Sequence, residues 1–180
     1  LQSLRVVDVL EEKYARFPGL NLMYETREGI LKHCSPATAR ELGELGMRFL
    51  DGKQPGLEAQ VANMADEIAY NNHDVDDGLR ARLIDMEQLK DCRLFDRHRC
   101  EVTSLWPELG EKPLAHETIR QMINFLVGDL VNTSLAAIRE FRPANIEEVR
   151  SLTAPLMQFS KETRMLQDEL KSFLRVNLYR

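Results

Sequence analysis

Three side chains that carry oxygen atoms recur at every fourth position in one acidic stretch of the chain. They are Asp66, Tyr70 and Asp74, spaced i, i+4 and i+8, and we call them the Asp66 row. In a helix this spacing stacks the side chains along one line, about 6 Å apart per step. Carboxylate oxygens are the ligands that hard divalent cations prefer. The row is therefore a candidate site for a divalent metal ion.

The charge of this stretch has two possible interpretations. From Asp66 to Asp77 there are five acids and no Lys or Arg. Clustered like charges destabilise a helix unless solvent screens them or a cation binds. A solvated polar face is the commoner origin of such a pattern. A bound metal is the alternative, and Tyr70 favours it, because Lys or Gln would be expected at the centre of a face that only meets water.

We predict that one long helix, from Leu57 to Gly78, positions the row. Its apolar residues fall on a stripe opposite the acids, as in an amphipathic helix. Glycine is common just past a helix C-terminus, so Gly78 is predicted to end the helix. The predicted buried stripe is Leu57, Val61, Met64, Ala65 and Ile68, and the predicted polar face is Asp66, Tyr70, His73, Asp74 and Asp77.

The rest of the chain shows helical spacing of apolar residues and no sustained alternation with period 2. Ser35 and Asn145 are predicted N-caps, and Pro36 fits a first helical turn. We therefore predict an all-α protein with about seven to nine helices. Further predicted helices cover 2–16, 24–33, 36–50, 79–90, 114–141 and 160–178, a short one follows Asn145, and 106–113 is a predicted loop.

The composition is that of a globular domain. Of the 180 residues, 43 % are hydrophobic and 29 % are charged, which suits one ordinary core and excludes a disordered chain. No apolar run reaches the length of about 18 residues that predicts a membrane helix. The net charge of −5 disfavours broad binding to nucleic acid, which needs a basic surface.

The cysteine content indicates the cellular compartment, and the N-terminal residues indicate whether the sequence has been processed. Cys34, Cys92 and Cys100 are a sparse, odd-numbered set, so we expect reduced thiols and a cytoplasmic protein. The segment 1–12 has acids where a signal peptide would have its apolar core. The first residue is Leu rather than Met, so the sequence is expected to be a processed or truncated piece.

One long motif resembles a known family. The segment 65–79, A-D-E-I-A-Y-N-N-H-D-V-D-D-G-L, closely resembles the end of the HD core of dGTPase-like deoxynucleoside triphosphate triphosphohydrolases. The resemblance extends to F-P-G-L-N-L at 17–22, to 24–33 and to the closing segment 170–180. It implies that 1–78 is the C-terminal portion of a metal-dependent HD core and that 79–180 is a helical extension packed on it as one continuous globular unit.

The resemblance also implies an activity and roles for the Asp66 row. The family hydrolyses a deoxynucleoside triphosphate to a deoxynucleoside and triphosphate, with water activated at a divalent metal (Mg or Mn) attacking the α-phosphorus. Asp66 matches a metal ligand of the family. Tyr70 and Asp74 match positions that contact the sugar near its 3′-hydroxyl, which a neighbouring phenol and carboxylate can bracket as donor and acceptor. Family members commonly assemble, so a homo-oligomer is expected.

The chain departs from the family pattern at the histidine ligands of the metal site. The family metal site also needs a histidine and a His-Asp pair that lie earlier in sequence, and no histidine here fits those positions. His73 and Asp74 spell HD, but inside the later motif, and we interpret this as a coincidence. We therefore expect the chain alone to bind metal weakly and to have no triphosphohydrolase activity. The alternative function is a non-catalytic, all-helical interaction or regulatory module.

Other interpretations of the acids fit less well. A calcium-binding EF-hand loop starting at Asn72 would put Asp77 where glycine is required and Leu83 where a bidentate Glu is required. The segment 74–77 is not the D-D-x-x-D motif of isoprenoid synthases. An HD phosphohydrolase acting on nucleoside monophosphates is a further alternative, against which the length of the motif at 65–79 argues.

The cysteines and the other histidines do not indicate a second site. Cys92, His98 and Cys100 lack the paired spacing of a structural zinc site, so we expect both cysteines to pack as small apolar groups. His98 and His116 have no partner at useful spacing and are expected at the surface. His33 adjoins a cysteine, but neighbours in a helix point in different directions, so a structural role is expected.

Overall fold

The computed structural model describes residues 2–31 and 34–179. Every regular element in this part of the chain is helical, which confirms the predicted all-α fold. His33 lies outside the described residues. None of the described helices is both long and apolar enough to cross a lipid bilayer. The helices are α1 (Gln2–Arg5), which continues as a π-helical turn (Val6–Leu10), α2 (Tyr24–Ile30), α3 (Pro36–Glu41), α4 (Glu44–Asp51), α5 (Leu57–Arg80), α6 (Met86–Leu89), α7 (Arg93–Leu105), α8 (Glu111–Phe141), α9 (Ile146–Ser151) and α10 (Lys161–Asn177).

The chain divides into two compact units. Unit 1 comprises Leu1–Met64 and Ala137–Met157, and unit 2 comprises Ala65–Ala136 and Gln158–Arg180. The Asp66 row belongs to unit 2. The predicted division after Gly78, between an HD core and a helical extension, concerns family architecture and stays a prediction.

Unit 1 has a small leucine core. Gly46 in α4 comes so close to α3 that an added Cβ would lie 1.9 Å from the carbonyl oxygen of Ala39. Any larger residue would overlap the backbone of Ala39, so Gly46 is what allows α4 to pack closely against α3. The core consists of Leu4, Leu31 and Leu45, with Val7, Tyr24, Ile30, Leu42 and Phe49 packed against them.

Predicted helices of unit 1 are shorter than expected, and the one predicted from residue 24 to 33 ends at Ile30. Ser35 is an N-cap as predicted, since its Oγ accepts a hydrogen bond from the backbone nitrogen of Thr38 over 3.2 Å. The single helix predicted over 36–50 is wrong, because the chain turns at Gly43, whose φ of 58° glycine adopts without steric cost. The helix predicted over 2–16 stops at Leu10, and residues 11–16 are not helical.

A buried carboxylate links three helices of unit 1. Glu28 on α2 is only 1 % exposed. Nη2 of Arg150 on α9 donates to its Oε2 over 3.2 Å, and Nε of Arg48 on α4 lies 3.5 Å from its Oε1. Two guanidinium groups therefore compensate the buried negative charge of Glu28. Burial of an unpaired carboxylate would strongly destabilise the fold.

Unit 2 is built from α6, α7, α10 and the parts of α5 and α8 that belong to it. Ser160 is the N-cap of α10, accepting from the backbone nitrogen of Thr163 over 3.3 Å. The helix at 160–178 is thus confirmed to within one residue at each end. The largest fully buried apolar side chains of this unit are Val75, Leu89, Leu94, Phe95, Val102, Met122, Leu126, Leu170 and Leu174.

The buried face of α5 differs from the predicted stripe. Met64 and Ile68 are buried as predicted, but Val61 is 46 % exposed and Ala65 is also exposed. Polar residues take their place in the interior, and Gln60 shows why this is stable. Its Oε1 accepts hydrogen bonds from the backbone nitrogens of Leu156 and Met157 over 2.8 and 3.1 Å, so its burial leaves that oxygen satisfied. The other buried polar residues of α5 are Asn71 and Asn72.

Gly78 does not end α5, which continues to Arg80. An added Cβ at Gly78 would lie 2.9 Å from the side chain of Ile84 and 3.3 Å from that of Leu178. The glycine therefore allows close packing rather than a helix stop. After Arg80 only α6 is helical within 79–90, and Leu83, an apolar residue inside that predicted helix, is 62 % exposed.

In the second half of the chain, one helix boundary follows the predicted local signal and another does not. Asn145 caps α9, since its Oδ1 accepts from the backbone nitrogen of Glu148 over 3.0 Å. α8 begins at Glu111 rather than 114, so the last three residues of the loop predicted over 106–113 are helical. Pro113 fits its first turn because the missing N–H would have no intrahelical partner there.

Candidate functional site

The Asp66 row lies on the solvent-facing side of α5. Asp66 is exposed, Tyr70 is 57 % exposed and Asp74 is half-buried. α5 is helical throughout this stretch, so the three side chains follow one another at one-turn intervals as their spacing predicts. The predicted roles, metal ligation by Asp66 and sugar contacts by Tyr70 and Asp74, stay predictions.

A fourth residue joins the C-terminal end of the row. The hydroxyl of Tyr179, two residues after the end of α10, donates a hydrogen bond to Oδ2 of Asp74. Burial, followed by hydrogen bonds to Asp74 and Tyr70, raises the pKa of the Tyr179 hydroxyl above its ordinary value. Tyr179 therefore adds a hydrogen-bond donor at the Asp74 end of the row. The sequence contained Tyr179 within the resembling segment 170–180, but no local spacing linked it to α5.

Basic residues from α10 neutralise part of the acidic stretch. Glu67 pairs with Nη1 of Arg164 and with Nζ of Lys171, each over 2.6 Å. Burial raises the pKa of the Glu67 carboxyl, but hydrogen bonds from Lys171 and Arg164 outweigh burial, and the pKa lies below its ordinary value. The stretch itself lacks Lys and Arg, and the compensating cations come from 97 and 104 residues away.

Two further acids of the stretch, Asp76 and Asp77, also have cationic neighbours. Asp77 pairs with Arg80 on the helix surface. Oδ1 of Asp76 lies 3.6 Å from Nε2 of His116 on α8, a pair that is ionic when the imidazole is protonated. Acidic charge in this stretch therefore does not by itself require a bound metal.

The described residues do not make a complete metal site. No group of three or more His, Cys, Asp or Glu side chains in the described part is placed to hold a metal ion. Divalent magnesium or calcium takes about six oxygen ligands, with waters completing the set. Asp66 would contribute one protein ligand, and this chain's described residues do not fit a resident metal on their own.

A groove on unit 2 lies between α5 and α8. It has a volume of about 330 Å³ and is lined by residues of α5 and α8. Asn72, His73 and Asp76 line it from α5, and His116 and Arg120 from α8. The residues of the Asp66 row do not line this groove, so it is separate from the row.

Two of the expectations for cysteine and histidine are wrong. Cys92 is buried as expected, and burial, followed by the charges of Glu169 and Asp91, raises the pKa of its thiol to about 12. Cys100, in contrast, is exposed. His98 is only 4 % exposed, because its ring packs 5.3 Å from that of Phe125, and its Nδ1 lies 2.9 Å from a Glu101 oxygen. His116 is exposed as expected.

The chain is similar in sequence to several bacterial proteins that share one name. No model of a known protein family matches it. Proteins named "Deoxyguanosinetriphosphate triphosphohydrolase-like protein" match all 180 residues, with 60 % identity in Bordetella pertussis, 56 % in Ralstonia pickettii and 54 % in Nitrosomonas europaea.

The match covers the whole of this chain but not the whole of its relatives. The chain spans 47 % of the Bordetella protein, 46 % of the Ralstonia protein and 48 % of the Nitrosomonas protein. It therefore spans about half the length of the curated relatives it matches. The resemblance drawn from the motif at 65–79 is confirmed.

Proposed function

We propose that the chain is part of a hydrolase that acts on deoxynucleoside triphosphates. The reason is that its whole length is similar to a stretch that makes up about half of each dGTPase-like relative. In the proposed reaction, water attacks the α-phosphorus, and deoxynucleoside and triphosphate are released. The similarity at 60 % identity over 180 residues carries this proposal. The Asp66 row, on an exposed helix face, supports it.

We assign the sugar end of the substrate to Tyr70 and Asp74. A carboxylate accepts a hydrogen bond from a sugar 3′-hydroxyl, and a phenol can donate one to the same oxygen. Both side chains are partly open to solvent and stand one helical turn apart. A substrate could therefore reach both groups at once.

We assign one ligand of a divalent metal, Mg or Mn, to Asp66. The described residues do not complete a metal site, so the other ligands would come from the portion that the relatives have and this chain lacks. We accordingly expect the 180-residue chain alone to release no triphosphate. A cytoplasmic location, expected from the three cysteines, belongs to the same proposal.

A second candidate function is an all-helical interaction module, and one observation favours it. Val127, Val131 and Leu135 on α8 are spaced i, i+4 and i+8 and are 45, 49 and 43 % exposed. An apolar stripe that faces water is typical of a surface that binds another protein. Self-association through this stripe would agree with the homo-oligomer expected from the family resemblance.

The experiment that tests the hydrolase compares two proteins: the 180-residue chain and the complete protein that contains it. Each is incubated with the four deoxynucleoside triphosphates in Mg²⁺ and in Mn²⁺, and released triphosphate is measured. We expect release by the complete protein and none by the chain alone. In the complete protein Asp66→Ala should lower the rate by about a hundredfold or more, because it removes a metal ligand.

The matched control is Asp168→Ala, which removes an exposed aspartate from α10 of the same unit. It should leave the rate within about twofold. A complete protein that releases no triphosphate from any of the four substrates would favour the interaction module.

A further inference from the structure

We propose that Tyr179 is a positioning residue of this site, which holds the Asp74 carboxylate in place for the sugar 3′-hydroxyl. This inference rests on the proposed function, because it assumes that Asp74 contacts the sugar. Tyr179 acts through Asp74 and is not itself assigned a contact with the reacting atoms.

The geometry of α10 explains how a residue near the end of the chain reaches α5. Lys171 pairs with Glu67 over 2.6 Å, and Oε1 of Gln167 accepts from Asn71 over 3.1 Å. These contacts join α10 to the flank of α5 that also carries Asp74. Directly after the end of α10, the side chain of Leu178 packs against Gly78 of α5. Tyr179 follows directly.

The absence of a side chain at Gly78 is part of this arrangement. A Cβ there would lie 3.3 Å from Cδ1 of Leu178, a separation at which one of the two must shift. Glycine therefore lets the end of the chain lie close against α5. The hydroxyl of Tyr179 then reaches Oδ2 of Asp74.

Hydrogen-bond capacity allows Asp74 to serve Tyr179 and a sugar together. A carboxylate has two oxygens and about four lone-pair sites. Tyr179 donates to Oδ2, so Oδ1 can still accept from a hydroxyl. A carboxylate held by a second donor loses rotational freedom before the substrate arrives, and a preorganised group binds its partner at a lower entropic cost.

The alternative is that Tyr179 only fastens the end of the chain to α5. The two roles differ in what a loss of the hydroxyl would change. Loss of a fastening lowers stability and affects all substrates alike. Loss of a positioning group weakens only those substrates that have a 3′-hydroxyl for Asp74 to accept from.

The test measures kcat and KM of the complete protein for the deoxynucleoside triphosphates and for their 2′,3′-dideoxy analogues. The variants are Tyr179→Phe, which removes only the hydroxyl, and Asp74→Asn. The control is Tyr14→Phe, at an exposed tyrosine of unit 1 whose ring lies 5.1 Å from that of Phe17. Wild type and control should prefer the 3′-hydroxyl substrate.

We expect Tyr179→Phe to lower kcat/KM for the deoxy substrate by about tenfold, the usual effect of losing one hydrogen bond to a charged group. The value for the dideoxy analogue should stay within about twofold. Asp74→Asn should abolish most of the preference, and adding Tyr179→Phe to it should have little further effect, since the two act as one unit.

Each other outcome overturns the inference in a recognisable way. If the preference is present and depends on Asp74, but Tyr179→Phe retains it, the inference is wrong and the proposed function stands. If Tyr179→Phe weakens both substrates equally, Tyr179 is a structural fastening. If the complete protein hydrolyses the substrates without any preference for the 3′-hydroxyl, the sugar assignment fails. If it hydrolyses none of them, the proposed function fails as well.

Discussion

Asn71 on α5 and Gln167 on α10 form a hydrogen bond in the interior of unit 2. The Nδ2 of Asn71 donates to the Oε1 of Gln167 over 3.1 Å, and the two residues are 96 positions apart in the sequence. Both side chains are at most 3 % exposed. Inside a protein a hydrogen bond of this kind favours one alignment of two helices, because any slip leaves polar groups unpaired.

We predict that Asn71→Ala lowers the free energy of unfolding by about 1–3 kcal/mol, because it leaves a buried amide oxygen without its donor. Urea unfolding followed by circular dichroism measures this change. Asn132→Ala, at an exposed asparagine of α8, is the control and should change stability by less than about 0.5 kcal/mol. Equal losses in both variants would contradict the role given to the pair.

We predict that Glu67 contributes stability at neutral pH and loses it in acid. Its folded-state pKa lies below the ordinary value of 4.5, so the folded state binds the proton less readily than the unfolded state. The contribution is therefore present above the unfolded pKa and declines as the pH falls through the folded pKa.

Unfolding of wild type and Glu67→Gln at pH 7 and at pH 3 tests this prediction. The wild type should be the more stable of the two at pH 7, and the difference should shrink at pH 3. Glu162→Gln, at an exposed glutamate of α10, is the control and should track the wild type. A difference that grows in acid would show that the sign is wrong.

We predict opposite effects of alanine at two helical glycines. At Gly46 a Cβ would lie 1.9 Å from the backbone oxygen of Ala39, whereas at Gly128 it would meet no heavy atom within 4 Å. Gly46→Ala should destabilise the protein by more than about 3 kcal/mol, because a backbone atom has to move. Gly128→Ala should stabilise it by about 0.4–1 kcal/mol through helix propensity. Thermal unfolding of the two variants, compared with wild type, tests both predictions. A Gly46→Ala variant as stable as wild type would contradict the close approach of Gly46 to Ala39.

We predict that the thiols of Cys92 and Cys100 differ sharply in reactivity. Cys92 is buried and its pKa is raised to about 12, so almost none of it is thiolate at pH 8. Cys100 is exposed. In a Cys34→Ser background, Ellman's reagent should titrate one thiol in the folded protein and the second only after urea is added. Prompt reaction of both thiols in the folded protein would contradict the burial of Cys92.

Local signals in the sequence predicted much of the fold, and contacts between distant segments account for the errors. Ser35 and Asn145 cap helices as predicted, because capping involves residues only three apart. The Asp66 row was also found from local spacing. Gly78 was misinterpreted because a glycine that ends a helix and one that admits a neighbouring side chain look alike in sequence.

The partners of the acidic stretch at the candidate site could not be predicted from local sequence either. Glu67 pairs with Arg164 and Lys171, and Asp74 with Tyr179, across separations of 97 to 105 residues. No spacing rule connects segments so far apart. The surface position expected for His98 is wrong for a related reason, since the ring that covers it, that of Phe125, belongs to another helix.

The pairing of Glu28 with Arg150 sets an order of events during synthesis. The two residues are separated by 122 positions, and unit 1 is assembled from segments at both sides of that interval. A ribosome delivers the chain from its N-terminus, so residues 1–64 emerge long before α9. Until α9 leaves the exit tunnel, Glu28 lacks one of its two guanidinium partners and the early segment cannot complete its charge pairing. Formation of unit 1 therefore cannot be completed until α9 has emerged, and its early segment waits for its late partners while the intervening residues are synthesised.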